Sequence, residues 1–121
     1  MRAAVLRRFG APEVLQVEEV PTPAPGPGEV LVEVHAVSVN RTLDVLVRHD
    51  GNHRGVKLPH VLGVDPSGIV AALGPGVHER KLGDRVAVVN LRCGTCRYCV
   101  ADQEEDCQTG GLHVGIQRWG G

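Results

Sequence analysis

Four cysteines crowded into one short polar segment constrain this chain more than any other feature of its sequence. They lie within residues 91–110, called the cysteine lobe below, and form the pattern C-x2-C-x2-C-x7-C: Cys93, Cys96, Cys99 and Cys107. Two-residue spacers let consecutive thiolates turn back toward one point, and the longer excursion lets the fourth complete a tetrahedron. Because four sulfurs leave no open position for water or substrate, we predict one structural zinc whose binding stabilises the lobe.

Two other uses of the four thiols stay open at this level. Disulfides are one, although clustered thiols in a chain without an export signal favour a metal. An iron–sulfur cluster is the other, since C-x2-C-x2-C also opens the bacterial ferredoxin motif, but there the fourth cysteine follows after three residues and precedes proline. Here seven residues intervene and Gln108 follows. Arg92 and Arg97 either offset the negative charge of a zinc thiolate site or are ordinary solvated side chains.

Composition and charge argue against several classes of function. The 121-residue chain has 13 Lys plus Arg against 14 Asp plus Glu, and one each of Trp, Tyr and Phe, which disfavours nucleic-acid binding. Its apolar runs are short, such as VAVV at 86–89, whereas a membrane helix needs roughly 20 apolar residues. The N-terminus also lacks the apolar core of a signal peptide. We therefore expect a cytoplasmic protein of one domain.

Short β-type segments separated by glycine and proline dominate the chain. One short helix is predicted over 40–51, with Asn40 as its cap and Gly51 at its end. Five short strands with tight turns and one short helix predict a mainly β fold, a small and partly closed β-barrel. The predicted strands cover residues 1–6, 14–20, 29–39, 67–73 and 85–90, and 29–39 has the clearest alternation of apolar and polar residues.

The order of these elements around the cysteine lobe resembles a known family. VLGVDPSGIVAALGPGV, then GDRVAVVN, then the lobe is similar to the N-terminal GroES-like domain of medium-chain zinc-type alcohol dehydrogenases and quinone oxidoreductases, and the likeness runs over residues 1–121. The resemblance implies a distorted GroES-like β-barrel and a structural zinc. It also implies a parent enzyme that transfers hydride between NAD(P) and a small-molecule carbonyl, alcohol, quinone or enone, with a homo-oligomer among its expected assemblies.

The chain departs from this family at the ligands of a second, catalytic zinc. Family members place a cysteine just after the strand that corresponds to 29–39, where this chain has Asn40. The histidine of their G-H-E motif is replaced by Val64, which cannot bind a metal. Because no cysteine precedes Cys93, we expect no standard catalytic zinc, as in the quinone-reductase-like branch.

Three polar residues are the catalytic candidates that the resemblance implies. Asn40 and Thr42 fall where the family places its metal ligand and its proton-relay hydroxyl, and Asp65 would line the cleft that faces the nicotinamide. Each also has a local explanation, because Asn40 and Thr42 can cap the helix and Asp65 can cap the turn before strand 67–73. Asp44 is interpreted as a solvated acid of the first helical turn.

No dinucleotide site is predicted within the chain. A G-x-G-x-x-G unit between a strand and a helix is absent from the sequence, and in the family that unit belongs to a separate Rossmann-type domain. We therefore expect a truncated GroES-like domain that does not catalyse the reaction alone. Two alternatives stay open: a free-standing zinc-stabilised module with a non-enzymatic binding role, and a metal-dependent variant with ligands rebuilt from His49, His53, His60 and Asp65.

Overall fold

Strands make up most of the regular structure in a computed structural model of the chain, which describes residues 1–51, 55–89, 92–108, 114–116 and 118–121. The predicted mainly β class is confirmed, and no helix in the described residues is long and apolar enough to cross a membrane. The elements are β1 (Arg2–Leu6), β2 (Leu15–Glu19), β3 (Val30–Ala36), α1 (Leu43–Asp50), β4 (His60–Val61), β5 (Ser67–Leu73), β6 (Arg85–Ala87) and α2 (Arg97–Val100). Within the described residues two α-helices are therefore present where the sequence predicted one, because α2 forms a single turn inside the cysteine lobe.

The strands divide into two antiparallel sheets of three strands each. One sheet has the order β2-β1-β4 and the other the order β3-β5-β6. Within the described residues no ladder joins the two sheets, so the predicted partly closed barrel takes the form of two separate sheets. The strands at one edge of each sheet are short, since β4 contains two residues and β6 three.

β3 ends earlier than predicted, and its side chains do not alternate cleanly. Its register against β5 shifts between Leu31 and Val32 and again between Val34 and Ala36. Such bulges re-aim the side chains of a strand, and Val34 is 38% exposed although it was predicted on the apolar face. Since β3 stops at Ala36, the residues that follow leave the sheet and lead into α1.

The α1 helix covers one end of the core. The sequence predicts that Leu43, Leu46 and Val47 share one apolar face of this helix. Val47 is fully buried against Val56 and Ile116, and through it this face reaches the core. Leu46, predicted on the same face, is 45% exposed. The partly buried residues packed against this cluster are Phe9, Leu43, Leu62 and Val64.

His60 is a buried polar residue whose ionisation opposes folding. It is 2% exposed, and its Nε2 has no hydrogen-bond partner in the described structure. Burial lowers the pKa of His60, and a hydrogen bond with the Gly115 backbone only partly opposes this. The folded-state pKa of His60 lies below the unfolded value of about 6.5. The contribution of neutral His60 to the free energy of unfolding is therefore fully present above about pH 6.5, and it is lost as the pH falls from there through the lower, folded-state pKa.

Replacement of His60 should make the stability of the fold depend less on pH in the acid range. Between pH 7.5 and 5.5 we expect the urea midpoint of the unaltered chain to fall, and that of His60→Gln to fall less. His78→Gln, at an exposed position, is the matched control and should retain the original dependence. Equal slopes for the unaltered chain and His60→Gln would contradict the assignment.

Candidate functional site

Tight turns bring the four thiols of the cysteine lobe together. Gly94 adopts a φ of +71° between the first two cysteines, which favours glycine. The Cys96 backbone N–H donates to Cys93 Sγ at 3.3 Å, and α2 then places Cys99 one turn further on. Asp102, with a φ of +56°, follows α2 where the chain turns toward Cys107.

The spacing of the four sulfurs fits a single tetrahedral ion. The Sγ–Sγ distances are 3.6 Å for Cys96–Cys99, 3.7 Å for Cys93–Cys107 and 3.8 Å for Cys93–Cys99, and all four atoms lie within 4.8 Å of one another. A zinc–sulfur bond of about 2.3 Å gives tetrahedral edges of about 3.8 Å. Disulfides need about 2.05 Å, and the four cysteines are free. A multi-iron cluster would place several metal atoms between the thiolates and spread them further apart.

The thiols differ in acidity, and a cation is needed to ionise them all. Hydrogen bonds from the Cys99 and Gln108 backbones lower the pKa of the Cys96 thiol to about 7. Desolvation raises the pKa of the Cys99 thiol to about 12. Adjacent thiolates repel one another, but a bound divalent ion removes that repulsion because cysteine binds metal as the thiolate. The lobe is therefore suited to hold a metal ion.

Arg97 makes its contacts with a neighbouring aromatic ring. Its guanidinium lies 4.5 Å from the centroid of the Tyr98 ring, and its Nη2 donates to the Tyr98 hydroxyl at 2.6 Å. These contacts favour the solvated interpretation of Arg97 over a role in offsetting the charge of the metal site.

A second group of candidates lies where the chain leaves β3 and enters α1. Asn40 Oδ1 accepts a hydrogen bond from the Leu43 backbone N–H at 2.8 Å, so Asn40 caps the helix as predicted. The Asn40 backbone N–H donates to Asp44 Oδ2 at 2.7 Å. Thr42 is exposed and makes no side-chain cap bond. The capping explanation therefore holds for Asn40 and fails for Thr42.

The connection between β4 and β5 lies beside this turn. Asp65 accepts hydrogen bonds from the Ser38 backbone N–H at 3.2 Å and from Ser38 Oγ at 2.9 and 2.7 Å. Asp44 Oδ1 accepts from the Gly63 backbone N–H at 3.2 Å, so Asp44 is not the solvated acid that its position predicted. Val64, at the G-H-E position, packs against the apolar cluster.

Three of these polar contacts were not predicted from the sequence: Asn40 with Asp44, Asp44 with Gly63, and Ser38 with Asp65. The spacing of Asn40 and Asp44 was a usable local signal, because a cap residue followed one turn later by an acid is typical of reciprocal capping. No local signal pairs Ser38 with Asp65, which are 27 residues apart.

The alternative metal site built from histidines receives no support from the described residues. Among these, the four cysteines are the group of potential metal ligands that comes together. There is no group of three or more neighbouring ligands there that includes His49, His60 or Asp65. His53 lies outside the described residues.

Comparison with known proteins decides the family. The family model of the alcohol dehydrogenase GroES-like domain matches residues 26–121. The chain belongs to this alcohol dehydrogenase family. The predicted resemblance to medium-chain zinc-type alcohol dehydrogenases and the predicted GroES-like fold are thereby confirmed.

Relatives of this GroES-like domain include an alcohol dehydrogenase from Geobacillus stearothermophilus, 41% identical over 110 residues, which are 89% of this chain and 32% of that protein. The crystal structure of an NAD-dependent alcohol dehydrogenase superposes with a TM-score of 0.85 at 45% identity, over 99% of this chain and 35% of that one. The structure of a cobalt- and zinc-bound thermostable alcohol dehydrogenase from Pyrobaculum aerophilum also superposes with a TM-score of 0.85. Its identity is 42%, over 100% of this chain and 36% of that one. The chain thus spans about a third of the length of these relatives.

Proposed function

We propose that this chain is the substrate-side domain of a medium-chain NAD(P)-dependent oxidoreductase, with one structural zinc and no standard catalytic zinc. The observation that carries the proposal is the set of four sulfurs, spaced as a tetrahedral ion requires, in a domain of the alcohol dehydrogenase family. The substitutions at Asn40 and Val64 support the absence of the second metal.

The zinc has a structural role in this proposal. Cys93, Cys96, Cys99 and Cys107 would fill all four coordination positions, so none is left for a substrate oxygen or for water. Bound zinc supplies folding free energy, with apparent values of about 10 to 16 kcal/mol in small zinc modules. The cysteine lobe itself then takes no part in the chemistry.

The groups proposed to meet the substrate are Asn40, Thr42 and Asp65. The side-chain oxygen of Asn40 accepts the hydrogen bond that caps the helix. Within the described residues, the amide nitrogen of the same side chain has no hydrogen-bond partner. That N–H can donate to the oxygen of a carbonyl, quinone or enone, which stabilises developing negative charge without a metal. The exposed Thr42 hydroxyl can give or accept a proton, and Asp65 would line the same cleft.

The nicotinamide cofactor is assigned to another part of the complete protein. The chain contains no G-x-G-x-x-G unit, so its own residues do not fit a dinucleotide. NAD(P) bound to a Rossmann-type domain would supply or accept the hydride. We expect calorimetry of the 121-residue chain with NAD(P)H to give no saturable heat, and saturable binding would contradict this assignment.

Metal analysis tests the central proposal. We expect elemental mass spectrometry to find one zinc per chain in the purified protein. The solution should be colourless, since zinc has no accessible d–d transitions. Replacement by cobalt should keep one ion per chain and produce visible absorption. Two zinc ions per chain, or visible colour in the protein as purified, would overturn the proposal.

A non-enzymatic binding module is the second candidate. Val39, next to Asn40, is 90% exposed, so a binding partner seated on this turn would remove its apolar side chain from water. Measured binding to a separate protein that Val39→Ser abolishes, together with no hydride transfer by the longest natural form of the chain, would favour the module over the enzyme.

A further inference from the structure

Two carboxylates cross between the segments that carry the proposed substrate groups. The first segment, 38–44, leads from β3 into α1, and the second, 63–65, leads from β4 toward β5. Asp44 belongs to the first and reaches Gly63 of the second. Asp65 belongs to the second and reaches Ser38 of the first.

Asp44 uses both of its oxygens on backbone donors. Oδ2 accepts from the Asn40 N–H at 2.7 Å, and Oδ1 accepts from the Gly63 N–H at 3.2 Å. Asp44 is half-buried and Gly63 is buried, so the loss of either bond would leave a poorly solvated N–H without a partner. A single carboxylate thereby sets the distance between the start of α1 and the second segment.

Asp65 makes the return connection. Its Oδ1 accepts from the Ser38 backbone N–H at 3.2 Å, and both of its oxygens lie within 3 Å of Ser38 Oγ, at 2.9 and 2.7 Å. Each segment therefore provides the acceptor for a donor on the other. We call Ser38, Asp44, Gly63 and Asp65 the carboxylate clamp.

We propose that the carboxylate clamp positions the substrate groups, and that Asp44 and Ser38 are its positioning residues. This inference rests on the proposed function. With Asp44 and Asp65 holding the two segments together, the Asn40 amide nitrogen and the Thr42 hydroxyl are two of the polar groups that this turn offers to an oxygen-bearing substrate. Positioned donors matter because small displacements of a donor from a reacting oxygen cost large factors in rate.

Amide hydrogen exchange of the full chain, measured by NMR, tests the clamp without knowledge of the substrate. In Asp44→Asn an NH2 group replaces one of the two carboxylate oxygens, and it cannot accept from the backbone N–H that this oxygen served. We expect about tenfold faster exchange or more for Gly63, and also faster exchange for the Ser38 amide, which Asp44 does not touch. Val20, whose N–H donates to the Met1 carbonyl oxygen at 2.8 Å beside the outer end of the β1–β2 pair, should be unchanged.

Three further variants make the result decisive. Asp44→Glu keeps both carboxylate oxygens and should restore part of the protection, whereas Glu79→Gln at an exposed position should change nothing. If Asp44→Asn does not fold, Asp65→Asn tests the reverse direction and should speed exchange at Gly63. Unchanged exchange at Ser38 in Asp44→Asn, or at Gly63 in Asp65→Asn, would overturn the clamp.

Hydride transfer separates failure of the clamp from failure of the proposed function. In the longest natural form of the chain, with 1,4-benzoquinone and NADPH as probes, Asp44→Asn should lower kcat about tenfold or more and leave the KM for NADPH unchanged. Faster exchange with an unchanged kcat would overturn the positioning role. If the unaltered protein shows no activity with benzoquinone, NADPH or alcohol probes, the proposed function is contradicted. The hydrogen-exchange measurement then still tests the carboxylate clamp independently.

Discussion

Cys107→Ser should remove the metal from the cysteine lobe. Cys107 is buried and lies outside the close-spaced C-x2-C-x2-C turn, so in the proposed zinc site it would supply the fourth ligand and complete the tetrahedron. A serine hydroxyl stays protonated at neutral pH and cannot replace a thiolate. We expect zinc content to fall well below one per chain and affinity to drop about 100-fold or more, a loss at least as large as those seen for outer-shell changes.

Thermal unfolding and a chelator provide the measurements for this change. The melting temperature of Cys107→Ser should fall by about 10 °C or more, and excess EDTA should lower that of the unaltered chain toward the same value. Val100→Ser is the matched control in the same lobe, because Val100 is 73% exposed and should leave zinc content unchanged. Full zinc content in Cys107→Ser would show that the metal does not need this thiol.

Gly74→Ala should cause a comparably large loss of stability for a different reason. Gly74 is buried at the end of β5, and a β-carbon there would overlap the backbone oxygen of Gly26 and lie 2.9 Å from that of Glu29. The same turn is held by the Gly74 N–H, which donates to Glu29 O at 2.8 Å. Since backbone atoms cannot move aside cheaply, we expect a loss of about 3 kcal/mol in the free energy of unfolding.

Gly26→Ala is the matched control for this contact. Among the described residues, a β-carbon at Gly26 would meet only the side chain of Glu29, at 3.2 Å, and a shift of that side chain by a few tenths of an ångström relieves the contact. Urea unfolding should place this variant within about 1 kcal/mol of the unaltered chain. Equal midpoints for Gly74→Ala and the unaltered chain would show that the 26–29 turn does not pack on the end of β5 as closely as the structure indicates.

The predictable part of the site rests on short-range signals. The cysteine spacing requires only a local turn at Gly94 and one helical turn at Arg97–Val100 to bring three thiols together. The Asn40 cap acts over three residues. Such features depend on backbone preferences close in sequence, and these act before the sheets come together.

The carboxylate clamp belongs to the part that could not be predicted. In the sequence Asp44 does not differ from any other acidic residue in the first turn of a helix. Only the packing of the β4–β5 connection beside α1 brings the Gly63 N–H to 3.2 Å from Asp44 Oδ1. Ser38 lies two residues beyond the observed end of β3 at Ala36, and its partner Asp65 is 27 residues away. Neither pair leaves a periodic or spacing signal.

By itself the sequence determined that this chain holds a four-thiol lobe, that it has a mainly β architecture, and that it lacks the family's cysteine and histidine at Asn40 and Val64. Those conclusions need only residue identities and short spacings. The tertiary structure alone decided that the strands form two sheets, that Val64 joins the core, and that Asp44 and Asp65 cross between segments. Hydrogen bonds between distant segments are set by how the sheets and α1 pack, and local propensity does not encode that packing.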